Sequence, residues 1–202
     1  MFIRLYEKNP DQQVIDQVVK VLKGGGVIVY PTDTIYALGC DMMQPKAIKK
    51  MAQLKGIKAD KAFFSIIGSS ISQLSDYVRL DDEVFKLLKR NLPGAFTFIL
   101  PTNRAMQKKL GGKRTEIGIR IPNNEIILTI AETLGNPLVT TSIKDEDMVV
   151  EYTTDPELIY EKYGNQVEMV INGGYGKNVA STIVNCTEQP FNIERQGMGE
   201  LK

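Results

Sequence analysis

Thr32, Asp33 and Thr34 place two hydroxyls and a carboxylate within three residues, directly after the apolar run Val27 to Tyr30. Such a cluster can donate and accept hydrogen bonds to a polar substrate. Val27 to Tyr30 is short, β-branched and preceded by Gly24-Gly25-Gly26, which predicts a buried strand. Pro31 has no N–H and cannot continue a central ladder, so the cluster is expected just beyond the strand's carboxyl end, where open α/β sheets bind ligands. The same residues also suit a turn whose Thr and Asp side chains only satisfy local backbone.

What chemistry is open to the chain is narrowed most by its 0 histidines. Ser-His and Cys-His nucleophile pairs, histidine metal sites and imidazole acid–base steps are excluded. Catalysis would rest on Lys, Arg, carboxylates, hydroxyls, backbone amides or a carboxylate-held metal, groups suited to positioning and stabilising charge in a phosphate reaction. The 2 cysteines, Cys40 and Cys186, are too few for a disulfide framework or a zinc site and sit among apolar neighbours, so they are read as structural and no metal site is assigned.

The elements that must position these groups alternate between strand and helix. Asn9 as N-cap and Pro10 at N1 are expected to start a helix carrying Val14, Ile15, Val18, Val19 and Leu22, closed by the three glycines. A second helix is predicted from Pro45 to about Leu54, with Ala47, Ile48, Met51 and Leu54 inward and Lys46, Lys49 and Lys50 outward. Further helices are expected over 82–89, 125–134 and 156–163. Strands are expected over 63–67, 95–100, 116–121, 138–141, 167–171, 182–185 and 191–194. Too few crossover helices follow Phe96 for an all-parallel sheet, so a twisted, mixed parallel and antiparallel sheet with flanking helices is predicted, an α/β class.

A chain of 202 residues with 43% hydrophobic content can bury a sizeable core, and with no Pro/Ser-rich linker or repeat it reads as a single domain over 1–202. No apolar run approaches the ~20 residues of a membrane span and the first residues lack the shape of a signal peptide, so a cytoplasmic protein without a membrane partner is expected.

Net charge is only +1, but it is unevenly spread. Lys46, Lys49, Lys50, Lys55, Lys58 and Lys61 form one basic stretch; Arg104, Lys108, Lys109, Lys113, Arg114 and Arg120 form another. Asp145, Glu146, Asp147, Glu151, Asp155, Glu157 and Glu161 follow. If both basic stretches border one groove, their field would attract ATP or an RNA backbone; otherwise they are solvated faces. Gly111-Gly112-Lys113-Arg114-Thr115 is not a P-loop, because Gln107 and Arg114 occupy the positions of its first glycine and its Ser/Thr. Asn172-Gly173-Gly174-Tyr175-Gly176 lacks dinucleotide spacing and reads as a loop needing positive φ.

The segment Gly25 to Gly39, with Pro31-Thr32-Asp33-Thr34 at its centre, resembles the opening signature of the YrdC/YciO family. The resemblance continues through Leu54-Lys55, Pro93 to Phe98, Gly118-Ile119-Arg120-Ile121-Pro122, Pro137 to Ser142, Ser181-Thr182-Ile183-Val184 and Arg195-Gln196-Gly197, spanning nearly the whole chain. It implies a YrdC-like fold with a concave groove along one face and binding of nucleotide or double-stranded RNA. In the best understood members it implies synthesis of threonylcarbamoyl-adenylate from ATP, L-threonine and bicarbonate for tRNA modification, with Mg²⁺.

Carried over residue by residue, the resemblance implies Lys55 and Ser142 as catalytic. It implies Thr32, Thr34, Lys61, Arg120, Thr140, Ser181 and Arg195 as binding substrate or nucleotide, with Arg120 on a carboxylate and Arg195 on phosphate. Lys49, Lys50, Lys58, Lys109, Lys113 and Arg114 would contact RNA. The chain departs from the pattern where Ile57 replaces the arginine of a Lys-x-Arg pair and Lys144 replaces an asparagine, so of that tetrad only Lys55 and Ser142 persist. Lys61 and Ile66 stand where relatives carry an asparagine and, in some, a histidine. This pattern looks like the YciO branch and implies synthase turnover that is low or altered. A non-catalytic protein binding tRNA or double-stranded RNA is the alternative. A third reading keeps the nucleotide chemistry with another acyl substrate, on the ground that Ile57 and Ile66 would make the pocket less polar.

Overall fold

The computed structural model describes residues 1–58, 62, 64–109, 115–143 and 149–202, of which Ala105, Lys108 and Lys109 by backbone alone. Ten strands form one mixed sheet: β1 (Phe2–Arg4), β2 (Val27–Tyr30), β3 (Ala37–Asp41), β4 (Ser65–Ile67), β5 (Phe96–Pro101), β6 (Glu116–Arg120), β7 (Leu138–Ser142), β8 (Met169–Asn172), β9 (Thr182–Asn185) and β10 (Asn192–Arg195). Their order across the sheet is β1-β8-β2-β3-β7-β4-β6-β5-β9-β10. The pairs β1·β8, β2·β8, β4·β6 and β5·β9 are parallel, and the other pairs are antiparallel.

The helices are α1 (Gln12–Lys23), α2 (Pro45–Leu54), α3 (Ile71–Ser75), α4 (Asp82–Asn91), α5 (Arg104–Lys109), α6 (Glu125–Leu134), α7 (Glu151–Thr154) and α8 (Pro156–Tyr163). Five of these eight helices among the described residues follow the apolar periodicity; α3, α5 and α7 were not expected from it. The start of α1 differs from expectation. Asp11 is its N-cap and accepts from the N–H groups of Gln13 and Val14, while Asn9 takes φ 57° and turns the chain ahead of it. An ionised aspartate is the better acceptor for orphan helix N–H groups, so the cap lies two residues beyond Asn9. β3 was not foreseen, because Ala37-Leu38-Gly39-Cys40-Asp41 is buried on both faces and shows no alternation. Phe63 of the strand expected over 63–67 lies outside the described residues.

Alternation along the strands separates two faces. Val27, Val29, Ile66, Phe96, Phe98, Ile117, Ile119 and Val184 pack with α2, α4 and α8. Ile28, Tyr30, Ile67, Leu138, Met169 and Ile171 pack with α1 and α6. These two helices lie toward the β1 side of the sheet, so on that face β6, β5 and β9 carry residues that belong to neither apolar cluster. Gly118, Arg120, Thr97, Ile99 and Ile183 are among them. Thr140 and Ser142 share this second face with Leu138, since Val139 between them faces the first.

Tyr30 ties the sheet together beneath this open region. Its ring lies across β3 at Gly39, where an added Cβ would stand 2.5 Å from Tyr30 Cε1. Gly39→Ala is therefore expected to destabilise by about 1–3 kcal/mol through overpacking, read as a lower denaturation midpoint, while Tyr30→Phe/Gly39→Ala should recover nothing because the ring carbon remains. A second tie joins Glu168, which accepts from the Val27 N–H at 2.7 Å and from Lys50 Nζ at 2.6 Å. Burial opposes ionisation of Glu168, but these two bonds outweigh it and hold its carboxyl below the usual range.

Candidate functional site

Loop 31–36 joins the antiparallel pair β2 and β3, and its polar side chains fold inward. The Thr32 hydroxyl donates to Ile35 O at 2.8 Å and accepts from the Thr34 N–H at 3.0 Å. Its only proton is thus used, so the 3.0 Å contact between the two threonine hydroxyls has Thr34 as donor. Thr32 is committed to building the turn, whereas Thr34 Oγ1 still accepts from Arg120 Nη2 at 3.1 Å.

Arg120, at the end of β6, is 8% exposed. Its Nη2 also donates to Asp33 Oδ1 at 3.1 Å, and Asp33 Oδ2 accepts from the Asn123 N–H at 2.9 Å. Arg120 Nε is buried without a partner. Leaving a charged group's donor unsatisfied in a protein interior costs more than a made bond contributes, so a buried orphan N–H calls for an acceptor such as a water, an ion or a ligand oxygen. Burial pulls the Arg120 pKa down; Asp33 and Tyr30 oppose this, and the positive charge of Arg195 adds to it.

Arg195 approaches from β10. Its Nη2 and Nε donate to Ser181 O at 2.8 and 3.3 Å, and burial lowers its pKa as well. The Ser181 hydroxyl is paired with Thr97 Oγ1 at 2.8 Å. Below them, the Tyr30 hydroxyl meets Thr140 Oγ1, which donates to Leu38 O at 3.3 Å, so Tyr30 is the donor of that pair. Complete burial pushes the Tyr30 pKa far up. Two guanidinium groups thus act on one another across a region in which Asp33 is the carboxylate bonded to Arg120, an arrangement that favours an incoming anion.

Two cavities flank this cluster. One of about 280 Å³ is walled by Pro31, Thr32, Asp33, Ala95, Asn123, Asn124, Lys177, Met198, Glu7 and the glycine-rich loop 173–176. The other, about 180 Å³, lies on the open sheet face between Ser65, Thr97, Gly118, Glu116, Ile99 and Ile183.

The structure gathers Thr32, Thr34, Arg120, Ser181 and Arg195 into this region, with Thr140 in the layer below. Ser142 is exposed at the end of β7, paired with Ala37. Lys55 is the half-buried C-cap of α2, at the point where the chain leaves that helix toward β4. Lys49 and Lys58 are exposed, while Lys50 is engaged by Glu168. Neither described cavity is walled by these lysines. Lys61, Lys113, Arg114 and Lys144, with the side chain of Lys109, lie outside the described residues. Ile57 is 39% exposed, but Ile66 is 1% exposed and packs in the core on the opposite face, so Ile66 does not make the groove less polar. Asn123, Thr97 and Lys177 were not singled out from sequence. The three-residue step from Arg120 to Asn123 was the available signal for the first.

Comparison with known proteins supplies the context. Residues 20–197 match the profile of the Sua5, YciO and YrdC proteins, described as telomere recombination. The chain belongs to this family. It is 36% identical to the YciO protein of Escherichia coli over 203 residues, covering 100% of this chain and 97% of that one. The crystal structure of E. coli YciO superposes with a TM-score of 0.90 at 35% identity, covering 99% of this chain and 97% of the other. A threonylcarbamoyl-AMP synthase of Vibrio campbellii is 29% identical over 186 residues, 90% of this chain and 98% of that enzyme. The crystal structure of Pyrococcus abyssi Sua5 complexed with L-threonine has a TM-score of 0.85 at 26% identity, covering 98% of this chain and 57% of the other. The Sua5/YciO/YrdC membership accounts for the order of the motifs along the chain. Among the described residues no helix is long and apolar enough to cross a membrane.

Proposed function

We propose that this groove binds ATP and an amino acid and carries out threonylcarbamoyl-adenylate chemistry at a reduced rate. The observation that supports it best is the partnerless Nε of buried Arg120 beside the Asp33 carboxylate and the Arg195 charge. A carboxylate or phosphate oxygen would satisfy that N–H, and Thr34 and Asn123 hold the guanidinium's surroundings in place.

In this reading the amine of threonine condenses with bicarbonate to a carbamate and water. A carbamate oxygen then forms a bond to the α-phosphorus of ATP as the bond from that phosphorus to the bridging oxygen breaks, and pyrophosphate leaves. Arg120 and Ser181 would orient the amino acid, Arg195 and Lys55 the phosphates, and Ser142 the nucleotide end, with Thr32 and Thr140 holding the backbone beneath them. Among the described residues no cluster of three acidic, histidine or cysteine side chains could cage a metal. Mg²⁺ would be bound through the ATP phosphates, neutralising charge on the leaving group. The product would serve tRNA modification.

The protein incubated with Mg-ATP, threonine and bicarbonate is expected to release pyrophosphate and form the adenylate, detected by mass spectrometry, slowly but above a no-enzyme control. Absence of product together with absence of ATP binding would remove this reading. The second reading, a binding protein for tRNA or double-stranded RNA, draws on the exposure of Lys49 and Lys58. It is weakened at Lys50, whose charge Glu168 already offsets.

A further inference from the structure

The ladder between β9 and β10 is irregular immediately before Arg195. Ile193 stands opposite Val184, yet Arg195 stands opposite Ile183, so Glu194 is the extra residue of a β-bulge. Residues directly opposite one another in a ladder share a face, and Ile183 walls the open-face cavity together with Thr97 and Gly118. The bulge therefore puts Arg195 on the groove side. In an unbulged ladder continuing from Ile193 and Val184, Arg195 would oppose Thr182 instead. Thr182 is paired with Phe96 of β5 and shares the core face with it, so the regular register would turn Arg195 away from the groove.

A bulge leaves a residue out of the pairing, so something must hold it against the regular ladder. Thr182 is 0% exposed, and its hydroxyl is used in full. It donates to Gly199 O at 2.6 Å and accepts from the Gly197 N–H at 3.0 Å and from Gln196 Nε2 at 3.3 Å. The Met198 N–H donates to Ala180 O at 2.9 Å. Gly197 runs so close to this backbone that an added Cβ would stand 2.3 Å from Ala180 O. Residues 196–199 are thus fastened at fixed places along 180–182, and that attachment sets how much chain β10 must fit in ahead of it. On the groove side, Arg195 Nη2 donates to Ser181 O at 2.8 Å, and Asn185 Nδ2 donates to Glu194 Oε1 at 2.7 Å.

Resting on the proposed function, in which Arg195 meets the phosphates, we infer that Thr182 is a positioning residue for ATP. By pinning residues 196–199 it selects the bulged register and so turns the Arg195 guanidinium into the groove. Thr182 touches no substrate itself, because its side chain lies on the other face of the sheet.

The test compares dissociation constants for ATP, measured by calorimetry with Mg²⁺, among the native full chain, Thr182→Val, Thr182→Ser, Arg195→Gln and Thr182→Val/Arg195→Gln. Valine matches threonine in shape but carries no hydroxyl. Thr182→Val is expected to weaken ATP binding by about tenfold or more, as Arg195→Gln does, the loss of one charge-assisted contact. The double variant should bind no more weakly than Arg195→Gln, because the same contact is lost only once. Thr182→Ser, which keeps the hydroxyl, should bind like the native chain. Hydrogen exchange at the Gly197 and Met198 amides should quicken in Thr182→Val and not in Arg195→Gln. Gln196→Ala is the second probe, at an exposed residue whose Nε2 also donates to Gly199 O at 2.8 Å; its smaller loss should likewise vanish in the Arg195→Gln background. Native-like ATP affinity in Thr182→Val and Gln196→Ala, or losses that add to that of Arg195→Gln, would overturn the inference. If adenylate forms and these variants bind ATP like the native chain, the inference falls and the proposed function stands. Coupling of Thr182 to Arg195 in ATP binding without any adenylate would do the reverse, and a native chain that binds no ATP would remove both.

Discussion

Arg120→Met is expected to lower the unfolding free energy by about 3–5 kcal/mol, because it strands the Asp33 carboxylate in a buried position. The side chains of the pair are only 10% and 7% exposed, and the Asn123 N–H would remain as the bond to Asp33. A charge so placed has lost its water and gains too little from one amide to offset the loss. Adding Asp33→Asn removes the stranded charge and should recover most of the stability, since replacing a whole buried pair is often near neutral. Anion binding should not return with it. Denaturant titration of the two variants, with calorimetry for amino acid and ATP, separates the effects. Equal stability of Arg120→Met and the native chain would mean that the pair does not hold the β6 end to loop 31–36. The surface pair Lys50–Glu168, with side chains 36% and 43% exposed, should by contrast contribute under about 1 kcal/mol.

Restoring an arginine at position 57 is expected to raise adenylate formation by about 10- to 150-fold, the worth of one charge-assisted hydrogen bond of roughly 1.5–3 kcal/mol. Ile57 is 39% exposed, so Ile57→Arg removes little from the core and its effect on stability should stay within about 0.5 kcal/mol. Position 57 follows Gly56, which takes φ 65° and turns the chain out of α2 just past Lys55. Lys55 and residue 57 thus leave the helix on one short turn, as a Lys-x-Arg pair would require. Ile57→Lys is the control: it supplies charge without the planar two-pronged grip on phosphate, and misplacing a reacting group by ~1 Å can cost ~100-fold. Its gain should therefore be much smaller. Pyrophosphate release measured for both variants decides the matter. An arginine that leaves the rate unchanged would mean that the missing guanidinium is not what limits turnover.

Much of the fold was legible because burial is written locally. The stretch Val27 to Tyr30 and the helices over 125–134 and 156–163 follow from period and caps alone. Short or doubly buried pieces were not legible. β1 has three residues, β3 lacks alternation, and α3 and α7 are single turns fixed by their surroundings. The same division holds within the site. That Thr32 and Thr34 lie beyond a strand end could be read from Pro31, but which hydroxyl remains available depends on a proton count that needs the Ile35 carbonyl in place.

By itself, the sequence determined that histidine chemistry is absent, that apolar segments would alternate as sheet and helix, and that the family's motifs stand in order. Each is a property of composition or of neighbours along the chain. Tertiary structure alone decided that Arg120 meets Asp33 across 87 residues, that Lys50 is spent on Glu168 across 118, and that Ile66 turns into the core while Ser65 faces the groove. Pairings at such separations depend on strand order and on which face each side chain takes. A one-residue shift in register would reverse that face and dismantle the site without changing a single local preference.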